Sequence, residues 1–263
     1  MILLYEHPAS PYVQKVKIAL AEKNIPFETR VPEGLGSGII SNPDFLEGNP
    51  RCEVPLLVDN GNRIFDSTII LEYIEEKWPN PGLLPHGPTD RARVRMVEDI
   101  MDTQYEAMNW VILEIKVFNR ATGVAAQQLL DRVADQAEKL HIWLERQLGT
   151  RSWFNGANFG WGDMSVVPHL NVSADYGLPP RSSRLQDWLN RANERTSVMQ
   201  CIGAARRAMA ASPDLSRLVA SGLFRRQYRD HRLEAMLRSG GWFIVRDGLD
   251  QNTIRFAEEL RNN

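Results

Sequence analysis

Ser10, with Pro11 directly behind it, is the residue pair with most chemistry to offer. It separates a short apolar run, Ile2-Leu3-Leu4-Tyr5, from a stretch in which Val13, Val16, Ala19 and Leu20 recur at helical spacing. Proline is favoured at the first helical position and serine just before it, so the Ser10 hydroxyl is expected beside the free N–H groups of a first helical turn. Such a junction can hold and activate an anion, or it can serve as a plain N-cap. Two similar elements follow. Val54-Pro55 leads an extended Leu56-Leu57-Val58 run, Asn60-Gly61 reads as a two-residue hairpin turn, and Asp66-Ser67 starts another helix.

The elements that must position these residues divide the chain. From Trp78 to Pro88 there are four prolines and two glycines, which cannot continue the preceding helix. Beyond them strand signals largely disappear, and Ala126, Leu129, Leu130, Val133, Ala137, Leu140, Leu144 and Leu148 form a clear helical stripe. Strands alternating with helices, followed by helices alone, predict an α/β domain and then an all-α domain. The expected division is 1–80, a linker over 81–88, and a helical domain over 89–263 whose extension starts near 213.

Composition narrows the setting. A chain of 263 residues with 43% hydrophobic and 24% charged residues is that of an ordinary globular protein. A formal charge of -2 gives no general attraction to nucleic acid or anionic membrane. Cys52 and Cys201 cannot build a disulfide framework, which points to a reducing, cytoplasmic setting. No run approaches the length of a membrane span, the N-terminus lacks a signal-peptide pattern, and the five histidines show no metal spacing.

Leu4-Tyr5, Ser10-Pro11-Tyr12-Val13, Lys17-Ile18-Ala19-Leu20, Asn49-Pro50, Val54-Pro55 and Asp66-Ser67 with Ile69-Ile70-Leu71-Glu72-Tyr73-Ile74 occur in order. Together they resemble the thioredoxin-like domain of cytosolic glutathione S-transferases of the serine type, similar to plant tau-class and bacterial β-etherase-like members. The resemblance covers roughly residues 1–210. It implies a GST-like fold, thioredoxin-like then all-α with a C-terminal helical extension, and glutathione as cosubstrate. Ser10 is then the donor that stabilises the glutathione thiolate, with Tyr5 as a rival. Val54 binds the cysteinyl backbone beside a cis bond to Pro55, Asp66 faces the γ-glutamyl amine, and Ser67 faces its carboxylate.

The implied chemistry is attack of that thiolate on a hydrophobic electrophile by conjugation, ether cleavage or dehalogenation, in a cytoplasmic homodimer of detoxification type. The alternative is a non-catalytic module of the same fold that binds ligands or proteins. Tyr12, Tyr105, Met108 and Asn109 are expected at the electrophile pocket. Two positions depart from the family pattern. Glu53 stands where tau-like members carry a lysine that meets the glycyl carboxylate, leaving Arg51 and Lys15 as substitutes that otherwise read as solvated surface charges. Gly160 replaces the Ser or Thr cap three residues before Asp163, which is expected to be a folding determinant. The arginine-rich extension, with Arg217, Arg225, Arg226, Arg229, Arg232 and Arg238, reads as a solvated helix face, with anion binding as the alternative, and its Gly240-Gly241-Trp242-Phe243-Ile244-Val245 segment as a cover for the electrophile site, a core element or an interface.

Overall fold

Alternation along the first strand, β1 (Ile2–Tyr5), sends Ile2 and Leu4 to one face and Leu3 and Tyr5 to the other. In the computed structural model, which describes residues 1–36 and 42–256, both faces are covered. Ile2 and Leu4 join the main core, while Tyr5 packs with Phe45 and Leu56 beneath the sheet. β1 pairs in parallel with β2 (Phe27–Arg30) and antiparallel with β3 (Leu56–Asp59), which forms a hairpin with β4 (Asn62–Phe65); the order is β2-β1-β3-β4. Both turn residues of that hairpin, Asn60 and Gly61, have positive φ (50° and 85°), as a type I′ turn requires. Helices α1 (Pro11–Glu22), α2 (Pro43–Gly48) and α3 (Ser67–Lys77) complete this thioredoxin-like domain.

The proline-rich connector is pinned in place. Glu75 accepts the N–H groups of Leu83 and Leu84 at 3.0 and 3.1 Å, and Lys23 donates to the carbonyls of Trp78 and Pro81, both at 2.6 Å. Beyond it α4 (Pro88–Ile100) runs through a π-helical turn, Met101–Tyr105, into α5 (Glu106–Lys116). Then come α6 (Gly123–Leu148), α7 (Trp161–Asp175), α8 (Ser183–Asn193) and α9 (Thr196–Ala211). α7 lies at the centre, and Asp163 organises its entrance: its carboxylate accepts the N–H groups of Phe154 (2.7 Å), Asn155 and Gly160 (both 3.1 Å) and the indole of Trp188 (2.8 Å). Glycine at 160 follows from crowding, since a Cβ there would collide with the Leu83 carbonyl and the Asn155 amide. The absent Ser or Thr cap is thus the condition for the connector to lie against α7, where Trp161 N–H donates to Leu83 O at 2.8 Å.

The extension differs from its helical expectation. It contains α10 (Leu215–Ala220), α11 (Asp230–Arg238) and α12 (Trp242–Asp250), but also β5 (Arg226–Tyr228) and β6 (Ile254–Phe256), which pair in parallel. Ile244 and Val245 are buried within this unit. Its arginines divide: Arg217 and Arg238 are solvated, whereas Arg226 is fully buried against Glu114, which also receives the Tyr228 hydroxyl at 2.7 Å. Arg232 is paired with Glu106 and lies 3.8 Å from the centroid of the Trp110 ring. Two carboxylates on α5 thus fasten the extension to the helical domain.

Burial alone would raise the Glu106 carboxyl, but Arg232 and His231 outweigh it and hold the group at about 2 against an ordinary 4.5. A carboxyl depressed on folding contributes stability that is complete above its unfolded value and is lost as pH falls through the folded value. Acid unfolding is therefore expected to draw about 3 kcal/mol from this pair between pH 4.5 and 2. In urea titrations across that range, Glu106→Gln should be destabilised at neutral pH and show a shallower acid limb than wild type.

Candidate functional site

Ser10 caps α1 in an extended conformation, φ −76° and ψ 119°. Its carbonyl accepts the N–H groups of Val13 (3.1 Å) and Gln14 (3.0 Å), and its Oγ receives Val13 N–H at 3.4 Å. The hydroxyl proton has no acceptor among the described residues, so it remains available to a ligand. Ser10 lines a cavity of about 590 Å³ that also takes in Tyr12, Val54, Pro55, Asp66 and Ser67. Beside it His7 accepts the Ala9 N–H at 3.3 Å on Nδ1, and burial, opposed by Glu6, lowers its pKa.

The other elements bring complementary groups to the same cavity. The Val54–Pro55 peptide is cis. Asp66 adopts φ 73°, a strained value for a residue with a side chain, and closes the head of α3 by accepting Thr68 N–H at 3.0 Å and Ile69 N–H at 3.4 Å on Oδ1. Its Oδ2 faces Arg51 Nη1 at 3.6 Å, and the Arg51 guanidinium lies 5.3 Å from the centroid of the Phe65 ring. Ser67 is buried at the first position of α3. The wall can therefore offer a hydroxyl donor, a carboxylate and a helix N-terminus to one small polar molecule. Tyr5, the rival of Ser10, lies under the sheet with its ring 5.5 Å from that of Phe45 and does not line the cavity.

Lys15 is not the solvated charge expected from sequence. It is fully buried, donating to Glu98 at 2.6 Å and to Asp102, with Thr68 Oγ1 at 3.5 Å. Burial opposes its charge, yet Asp102 and Glu98 more than compensate and raise its pKa. The Tyr12 hydroxyl donates to the Asp102 carbonyl at 2.7 Å, and burial, followed by the nearby Glu106 and Asp102 charges, pushes its pKa well up. Tyr12 therefore presents a neutral ring to the cavity.

Three expected electrophile-pocket residues lie elsewhere. Tyr105 is buried with its hydroxyl 2.7 Å from His141 Nε2 and 2.8 Å from Ser173 Oγ, Met108 is fully buried, and Asn109 donates to the His169 carbonyl at 3.0 Å. Their spacing marks the face packed on α6 and α7. The cavity face runs instead through Glu98, Asp99, Asp102, Thr103 and Trp110, most of it polar and so invisible to an apolar stripe. The third wall, from the extension, includes Phe224, Arg225, Gln227, Arg229 and Arg232. Its only sequence signal was the run of arginines.

Glu53 is engaged by that wall. Gln227 Nε2 donates to its Oε1, and Arg229 Nη1 stands 3.6 Å from its Oε2. Among the described residues no cluster of three or more His, Cys, Asp or Glu side chains could hold a metal, and no helix is long and apolar enough to cross a membrane.

Residues 9–77 match the family model of the glutathione S-transferase N-terminal domain. Over 204 residues the chain is 28% identical to glutathione S-transferase U3 of Arabidopsis thaliana, covering 74% of this chain and 85% of that one. A solved glutathione S-transferase from Rhodospirillum rubrum F11 has a TM-score of 0.65 at 28% identity, covering 76% of this chain and 91% of that one. Another, from Methylobacterium radiotolerans and in complex with glutathione sulfonate, has a TM-score of 0.64 at 26% identity, covering 76% and 94%.

Removing the Lys15 ammonium leaves two carboxylates buried without their cation. Lys15→Met is expected to cost about 3–5 kcal/mol in urea unfolding. A loss under about 1 kcal/mol, the scale of an exposed pair, would show that the cluster contributes little.

Proposed function

From this chain's membership of the cytosolic glutathione S-transferase superfamily, we propose a glutathione-dependent transferase in which Ser10 stabilises the bound thiolate for attack on a hydrophobic electrophile. The observation that supports this most is the convergence of Ser10, Val54, Pro55, Asp66 and Ser67 on one cavity that continues to walls from the helical domain and the extension. In this reading Asp66 Oδ2 takes the γ-glutamyl amine, Ser67 at the head of α3 takes its carboxylate, and the Val54 backbone pairs with the cysteinyl residue as an added strand.

The energetic requirement is modest. A cysteine-type thiol titrates near 8.5, so lowering it by about two pH units takes about 2.7 kcal/mol of preference for the anion. A hydroxyl donating to a charged sulfur supplies about 1.5–3 kcal/mol, and a helix N-terminus adds about 0.3–1 kcal/mol. Ser10 acts as a positioned donor and forms no covalent bond. The sulfur then attacks an electrophilic carbon, a carbon–sulfur bond forms, and in displacement reactions the leaving group departs with its bonding pair. Conjugation, ether cleavage and dehalogenation share that first step. The same reading takes the protein to be a cytoplasmic homodimer, as expected of the superfamily.

Ultraviolet thiolate absorbance of bound glutathione, followed against pH, tests the assignment. Wild type should titrate about two pH units below the free thiol, and Ser10→Ala should return most of that shift. Bound glutathione with an unshifted thiol in both proteins would instead favour a ligand-binding module.

A further inference from the structure

The glutathione reading leaves one charged end of the tripeptide unassigned, and the proposal made for that end rests on the same reading. If the γ-glutamyl end meets Asp66 and Ser67 and the cysteinyl backbone pairs with Val54, the third residue continues past Val54 toward Glu53, because an extended chain advances about 3.3 Å per residue. The glycyl carboxylate thus arrives beside a residue that is itself a carboxylate. Two unit charges of like sign about 4 Å apart repel strongly near a protein surface. Something must offset Glu53.

The extension does so. Gln227 donates to one Glu53 oxygen and Arg229 faces the other at 3.6 Å. Arg255 ties this group together by donating to Gln227 Oε1 and, at 3.4 Å, to the Cys52 carbonyl. The chain entering β5 is held on the same side of the cavity, with Arg225 N–H donating to the Gly36 carbonyl at 2.9 Å. The arginines of this run have different fates. Arg226 and Arg232 are consumed by Glu114 and Glu106. Arg225 is half-buried, lines the cavity and makes no side-chain ion pair among the described residues.

We infer that the C-terminal extension supplies the carboxylate-binding subsite of this protein: Arg225, aided by Arg229, receives the glycyl carboxylate of glutathione. A guanidinium matches a carboxylate with two parallel N–H donors, which a lysine cannot do. Glu53 is then a docking point for the wall that carries these arginines, and the cation has moved from the strand side of the cavity to the extension.

Calorimetric titration of the full chain with glutathione and with its glycyl monoethyl ester tests this, because the ester removes the one charge in question. Wild type should bind the free acid about ten-fold or more tightly than the ester. Arg225→Ala should bring that ratio close to one by weakening the acid alone, Arg225→Lys should retain part of it, and Arg225→Ala with Arg229→Ala should abolish it. Equal weakening of acid and ester, or an unchanged ratio, overturns the inference. A wild-type ratio near one, with Arg225→Ala instead losing discrimination between an acidic and a neutral aryl electrophile, also overturns it and moves the subsite to the second substrate. Failure of wild type to bind either thiol removes the glutathione reading itself, whereas binding with a ratio of one removes only the subsite.

Discussion

The buried ammonium group of Lys15 is the interaction on which the cavity depends. It projects from α1, five residues beyond Ser10, and meets Glu98 on α4 and Asp102 in the π-helical turn. A buried charge is tolerated only when its partners are themselves satisfied. Here Glu98 also accepts from Thr68 at the head of α3 and from the Trp161 indole of α7, Asp102 Oδ1 faces His169 Nε2 at 3.6 Å, and the Asp102 backbone carbonyl holds Tyr12. One cluster thus joins both helix heads of the thioredoxin-like domain to the helical domain. The position of the Ser10 hydroxyl relative to the opposite wall is consequently a property of the interdomain charge cluster, and neither domain alone contains it.

The same device recurs one layer further out. Glu106 and Glu114 on α5 face Arg232 and Arg226 of the extension, as Glu98 and Asp102 face Lys15. Outside the thioredoxin-like domain the polar cavity face and the ion-pair face belong to one continuous helical path, from α4 through the π-helical turn to α5. An inserted residue at such a turn shifts the helical phase by about 100°, which lets one path serve a domain contact and an extension contact in succession.

Local signals made much of the first domain legible. Asn60-Gly61 required a turn with positive φ, Ser10-Pro11 a capped helix and Asp66-Ser67 another, and each rule acts within four residues. Lys15 was misread because a lysine beside valines in an amphipathic helix carries no mark of what covers it, and its carboxylate partners are more than 80 residues away. Tyr105, Met108 and Asn109 have the spacing of a functional stripe, but an apolar stripe first identifies the face that a helix buries. The β5–β6 pair escaped for a further reason: strands of three residues, joined across 28 positions, carry too little alternation to be seen. Glu53 marked a departure from the family pattern, yet its meaning lay in Gln227 and Arg229, which no rule of spacing connects to it.

Whether the extension is a lid or a wall depends on how it is fastened. A lid that admits substrate must separate from its seat at small cost, with contacts drawn from the weakly stable part of the structure. This segment instead carries Arg226, fully buried against Glu114, and Arg232, half-buried over Trp110 against the buried Glu106. Parting either pair leaves an uncompensated charge in the protein interior and costs about 3–5 kcal/mol. Parting both together is a partial unfolding event. The extension is therefore fastened as a wall of the cavity, with two ion pairs holding it to α5. A fixed wall also accounts for the commitment of Glu53 to protein contacts: a carboxylate held in place by Gln227 and flanked by Arg229 presents a constant field to whatever binds. Selectivity then rests on the standing shape and charge of three walls that were assembled when the chain folded.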